Sequence, residues 1–174
     1  MGGTRTYLRD GRAPVPSLEA TSRVMSANRA KDTGPELALR RELTRLEIRG
    51  YRLSPRGVPG RPDLVFQRAM LAVFVHGCFW HRCPSCRLPL PKTHTAWWRA
   101  KFERNRRRDG AKERLLRGAG WRVLTLWECE IEEDGRGCAQ RVRANLARAR
   151  VKSRGERGRV RVPATAAGAP VAPR

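Results

Sequence analysis

The sequence predicts an α/β fold in which helices flank a mixed central β-sheet. Apolar runs of strand length, "DLVF", "LAVFV" and "WRVLTLWE", alternate with segments whose apolar residues recur every three to four positions. Only "QRAM" separates the first two runs, which fits a hairpin, whereas a long helical segment precedes the third. At 174 residues the chain suits one domain with tails and is long enough to bury a single core. Helix, three strands with a hairpin, helix and strand is an α/β order.

Each element has a local reason. "DTGPELALRRELTRLEIRG" offers Thr33 as N-cap, Glu36 three residues later, Leu39, Leu43 and Leu46 on one face and Gly50 as the stop, so a helix is expected there. "YRLSP" reads as a short strand and "GVPGRP" as a turn-rich loop before the hairpin. "TAWWRAKFERNRRRDGAKERLLRGAG" predicts a long, very basic helix ended by Gly118 or Gly120. After "WRVLTLWE", a short last helix is expected over about residues 136–149. Residues 1–20 are Gly-, Arg- and Pro-rich and are expected to be flexible; residues 21–150 form the domain; residues 151–174 lack a periodic apolar face and are expected to be a disordered basic, Ala- and Pro-rich tail.

The formal net charge is +22, from 38 Lys and Arg against 16 Asp and Glu. Such a surface attracts a polyanion. The tails do not account for all of it, because residues 1–138 hold 28 Lys and Arg against 15 acids. No run reaches the roughly 18 apolar residues of a membrane helix, and the start lacks the apolar core of a signal peptide. No membrane association is expected; a cytoplasmic, nucleoid-associated monomer is. Five cysteines in a reducing compartment point to metal more than to disulfides.

Cys78, Cys83 and Cys86 are spaced C-x4-C-x2-C, and Cys129 follows the strand "WRVLTLWE". Four thiolates from a loop and a neighbouring strand end would complete a closed, structural Zn2+ site. Cys138 is left over as a free thiol. Asp63 follows Pro62 at the start of a strand, and the next strand ends at Val75 and His76. In metal-dependent nucleases an acid at such an edge holds Mg2+, often followed by Glu-x-Lys on the next strand; "AVFVH" has neither the acid nor the lysine. The backbone carbonyl of Val75 is then the candidate second ligand, with His76 and His81 left for proton transfer. Taken alone, Asp63 is better read as a turn cap.

The runs "SRVMSANRAKDTGPELALRREL", "GVPGRPDLVF", "FVHGCFWHRCP", "KTHTAWWRAKFERNRRRD" and "GWRVLTLWECE" resemble, in this order, the very-short-patch repair (Vsr) mismatch endonucleases. The resemblance covers about residues 21–130, some two thirds of the chain, and neither tail. It implies a restriction-endonuclease-like fold and Mg2+-dependent nicking 5′ of the thymine in a T·G mismatch, the product of 5-methylcytosine deamination. It further implies double-stranded DNA containing the T·G mismatch as the partner, and a functional link to a DNA cytosine methyltransferase and to mismatch-repair proteins.

Residue by residue, the resemblance implies that Asp63 and the Val75 carbonyl bind Mg2+ and that His81 is the general base. Glu36 would hold His81, and His76 would assist at the phosphate. Glu36 also suits a capping box, which needs only backbone N–H groups. Met25, Phe79, Trp80 and Trp98 would enter the base stack beside the mismatch, where a mispaired step is cheaper to open. These aromatics are therefore expected to be partly exposed. Trp97, about 100° from Trp98 on the helix, is expected to pack inward, and Trp121 and Trp127 to be core. Lys101 and Asn105 would share the face of Trp98 and reach the mismatched bases, unless that face is simply solvated. Where the family often has threonine this chain has Val75, and where some members have a histidine ligand it has Cys83. Two other functions fit parts of the pattern: a zinc-stapled DNA-binding module without catalysis, and a nuclease of the same fold with broader specificity.

Overall fold

The structure, a computed structural model, describes residues 31–157; Met25, the rest of residues 1–30 and residues 158–174 lie outside the described residues. The elements run α1 (Gly34–Arg45), β1 (Arg52–Leu53), β2 (Leu64–Phe66), a 3-10 turn (Gln67–Ala69), β3 (Leu71–His76), α2 (Cys78–His81), α3 (Thr95–Gly118), β4 (Arg122–Trp127) and α4 (Glu128–Arg157). The four strands form one sheet in the order β1-β2-β3-β4. The first two pairings are antiparallel, with Leu64 opposite Val73; β3 and β4 are parallel, with His76 opposite Trp127. A parallel neighbour requires a crossover, and α2 and α3 supply it.

Strand alternation assigns the two faces of the sheet. Leu64, Phe66, Leu71, Val73 and Leu126 meet Leu39 and Leu43 of α1 and Ile131, Ala139 and Val142 of α4. On the opposite face Val65, Ala72 and Phe74 pack with Leu116 and Trp121. The same alternation puts Val75 toward α1 and α4, and His76 toward α3. A long helix crossing that second face therefore overlies the end of β3.

The helix ends explain three departures from the sequence reading. Helix α1 stops at Arg45, ahead of Gly50, because Glu47 takes a left-handed φ of 54° and Ile48 N–H reaches back to the Leu43 carbonyl at 2.8 Å. In α3 glycine does fill this role: Gly120 has φ +80°, and Trp121 N–H bonds the Leu116 carbonyl at 3.0 Å. The last helix begins at Glu128, ahead of the expected residue 136, and is kinked at Asp134 (φ −142°, ψ 74°). Asp134 accepts a hydrogen bond from Gly137 N–H at 2.7 Å, so it caps the second half, which is the part legible in the sequence. Helix α4 also continues to Arg157, into the segment expected to be tail. The strand at "YRLSP" is only two residues long.

Candidate active site

The inner face of α3 is a stripe of residues 98, 102, 105, 109, 112 and 116, spaced by three or four as one helical face requires. Its ends are apolar: Trp98 is 8 % exposed, and Phe102 and Leu116 are buried. Its middle, Asn105, Asp109 and Lys112, is polar and lies over the C-terminal end of β3.

Asp109 meets His81 there, its Oδ2 lying 2.5 Å from His81 Nδ1. Burial raises the Asp109 carboxyl, but the His81 bond and the nearby His81, His76 and Lys112 outweigh burial and hold it below the ordinary carboxylate range. An ionised carboxylate only accepts, so Nδ1–H donates, and in the neutral ring Nε2 is then the nitrogen with a free lone pair. His76 lies flat against His81, ring centroids 4.1 Å apart and planes 10° from parallel, with Trp127 edge-on at 5.3 Å. Burial, with His81 second, pushes His76 down to about 4, so at neutral pH it is an uncharged hydrogen-bonding group.

Asp63 enters from the loop before β2, and its Oδ2 accepts the Val75 N–H at 2.8 Å across the hairpin. Burial raises its carboxyl to about 6; the Val75 bond opposes this, and the Glu36 charge adds to it. Asp63, Glu36, Val75, His76, His81, Lys112 and Glu128 line one cavity of about 680 Å³. A buried carboxylate beside a second acid favours a cation, which is the physical fit for Mg2+ at Asp63.

Several expected roles are redrawn. Glu36 does not hold His81: its carboxylate accepts Asp32 N–H at 3.1 Å and Thr33 Oγ1–H at 2.9 Å, a capping arrangement at the start of α1. Trp98 is buried rather than partly exposed, packed edge-on or tilted among Phe79 at 5.3 Å, Trp80 at 6.1 Å and Phe102 at 5.4 Å, while Trp97 is the half-buried one. Phe79 and Trp80 are half-buried, as is Lys101, and His94 is exposed. Asn105 is 5 % exposed and does not face solvent. Its Nδ2 donates to the Trp80 carbonyl at 2.8 Å and its Oδ1 accepts from Arg108 at 3.1 Å, so it braces the aromatic turn. Trp121 is core, whereas Trp127 is half-buried against His76.

Two partners escaped the sequence reading. Asp109 had a signal, being the one acid within residues 104–112 and lying on the inner stripe. Glu128 accepts Cys78 N–H at 2.9 Å, a bond across 50 residues with no local trace.

The cysteines converge on the other side of the same turn. One sulfur from each of Cys78, Cys83, Cys86 and Cys129 lies within 4.8 Å of the others, and Cys83 and Cys129 are 3.8 Å apart. Zinc–sulfur bonds of about 2.3 Å at tetrahedral angles put sulfurs about 3.8 Å apart, so the donor set fits one zinc ion. Burial first, then the neighbouring thiols, raises Cys78 and pushes Cys129 up to about 11. Burial also raises Cys83, but N–H groups of Cys86 and Ser85 and adjacent thiols bring it below the usual range. Only a shared cation would let all four ionise together. Cys138 is buried in the core away from this group.

Residues 16–87 match the family described as DNA mismatch endonuclease Vsr. The chain is 43% identical over 120 residues to the type II nicking enzyme V.XorIIP of Xanthomonas oryzae pv. oryzae, covering 68% of this chain and 87% of that one. The chain belongs to the Vsr family. Its similarity to the type II nicking enzyme V.NaeI of Lentzea aerocolonigenes is 42% over 131 residues, 71% of this chain and 76% of the relative. To the DNA mismatch endonuclease Vsr of Escherichia coli it is 35% over 119 residues, 68% and 76% respectively. This Vsr-family protein is a DNA endonuclease, and its mixed sheet flanked by helices suits the restriction-endonuclease-like fold. No helix among the described residues is long and apolar enough to cross a membrane.

Proposed function

We propose that this endonuclease nicks DNA on the 5′ side of the thymine in T·G mismatches left by 5-methylcytosine deamination, in a Mg2+-dependent reaction. The observation that carries the reading is the cleft faced by Asp63, His76 and His81, with His81 bonded from behind by Asp109. Asp63 and the Val75 carbonyl would hold Mg2+, which supplies charge to stabilise a pentacovalent phosphate and to lower the pKa of a bound water. His81, its Nδ1 fixed by Asp109, offers Nε2 to the proton of the attacking water. His76, uncharged and stacked on His81, would hydrogen-bond the phosphate and limit the tilt of the His81 ring.

Mismatch selection belongs to the aromatic turn. Phe79, Trp80 and Trp98 follow and face the end of β3, so a wedge and a base sit on neighbouring residues. They are packed on one another, and insertion between bases therefore requires the cluster to part. A mispaired step, cheaper to unstack, is the step at which this exchange is favoured. Cys78, Cys83, Cys86 and Cys129 would hold Zn2+ and fix the turn to the end of β4. A DNA-binding module without catalysis has no use for a carboxylate-bonded histidine in the cleft. The deciding experiment incubates the protein with matched and T·G duplexes, with and without Mg2+. A single nick only in the T·G duplex with Mg2+ is expected; equal cleavage of both duplexes would favour the broader nuclease.

A further inference from the structure

Along the inner stripe of α3, Asn105 bonds Trp80 and Asp109 bonds His81, while Lys112 makes a longer approach. Its Nζ is 4.0 Å from Asp109 Oδ1, beyond hydrogen-bond reach, and that oxygen is buried without a hydrogen-bond partner among the described residues. The ammonium donors of Lys112 are thus not spent on Asp109.

Its stem is nevertheless fixed. Gly60, three residues before Asp63, has φ +74°, and a Cβ there would lie 2.9 Å from Lys112 Cβ and 3.2 Å from Cγ. Only glycine lets the loop carrying Asp63 close over this side chain. The Lys112 side chain is 33 % exposed, against 77 % for Arg107 earlier on α3. Lys112 lines the cleft with Asp63, His76 and His81. The other cation in that lining, Arg61, is exposed, and the rest of the charge there comes from Asp32, Glu36, Asp63 and Glu128.

A phosphodiester entering such a cleft meets mostly carboxylates, and its transition state carries more negative charge than the ground state. A fixed cation aimed at the reacting group is worth most in this setting. We propose that Lys112 is a catalytic residue of the nicking centre, its ammonium contacting a non-bridging oxygen of the scissile phosphate beside Asp63 and His81. It contributes charge and hydrogen bonds and transfers no proton. The inference rests on the reading of this cleft as the nicking centre. The competing role is a purely electrostatic one behind His81, with Lys112 screening Asp109.

Single-turnover nicking of a T·G duplex at saturating enzyme with Mg2+ separates these roles. Lys112→Met keeps the stem under Gly60 and removes the charge; Lys112→Gln replaces it if Lys112→Met does not fold, as read by thermal melting. The expected result is a fall of about 10²-fold in the saturated rate, the scale of one lost transition-state donor. DNA affinity at matched ionic strength changes little, because the many other Lys and Arg supply it, and Lys112→Arg recovers part of the rate. On a duplex with an uncharged methylphosphonate at the scissile position, wild type and Lys112→Met should differ far less. An undiminished rate in Lys112→Met overturns the proposal. So does a full recovery at a shifted pH optimum, which marks a screening ion pair, or an equal loss on the methylphosphonate duplex. A wild-type protein that nicks no T·G duplex with Mg2+ overturns the reading of the cleft itself.

Discussion

The cysteine cluster and the cleft grow from the same two strand ends, yet they are built for opposite purposes. His76 faces the cleft and Cys78, two residues on, belongs to the cluster; at the end of β4, Glu128 lines the cleft and Cys129 joins the cluster. In the cluster, like groups face one another at close range and one cation would satisfy them all. In the cleft, unlike groups face an open space, and Asp63 and His76 are displaced in opposite directions, to about 6 and about 4. A closed donor set fixes geometry; an open set of mismatched groups leaves room for substrate and for proton transfer.

Breaking the cleft should remove chemistry and leave structure. Asp63→Ala is expected to bring nicking below detection while DNA binding, measured by anisotropy at fixed salt, stays near wild type, since basic side chains supply the affinity. Retained nicking would show that the metal-binding acid lies elsewhere. His81→Ala should lower the single-turnover rate by about 10²–10⁴-fold. Asp109→Asn should follow in the same direction with a smaller loss, because the imidazole remains but loses its fixed tautomer. A wild-type rate in Asp109→Asn would mean that the 2.5 Å contact has no part in proton transfer.

Breaking the cluster should do the reverse. Cys83→Ala is expected to yield poorly soluble protein, and metal analysis of the wild type should find one zinc per chain. Well-folded, zinc-free protein would remove the staple from the comparison. Cys138→Ala, outside the cluster, should fold and keep its zinc, with only the modest loss of a trimmed core side chain.

The sharpest test of the contrast is smaller and concerns pH. Burial raises Asp63 to about 6 from 3.8, so the folded chain holds this proton after the unfolded chain has released it. Asp63 therefore favours folding below about pH 4, and this contribution is lost as pH rises through about 6. Asp63→Asn, which can still accept the Val75 N–H, should stabilise Mg2+-free protein at pH 7 by roughly 1–3 kcal/mol, with the gain vanishing near pH 4. Urea melts across that range check it. No gain at pH 7 would mean that the carboxylate is not strained in the empty cleft.

The order of elements, the hairpin, the four clustered cysteines and the acid at the edge of β2 were all legible in the sequence. These features are carried by local pattern: apolar runs, turn residues and short spacings. Which way each face of α3 points was not. The i, i+3 and i+7 relation of Trp98, Lys101 and Asn105 was visible, but periodicity shows that residues share a face and not which face meets the protein. Packing across β3 turned Trp98, Asn105 and Asp109 inward, which gave His81 a partner from 28 residues away and left Glu36 to cap its own helix. The sequence alone determined which chemical groups are present and the elements that carry them. Only the tertiary structure decided their pairing, because contacts between distant elements depend on how the sheet's two faces are covered, and no local propensity records that.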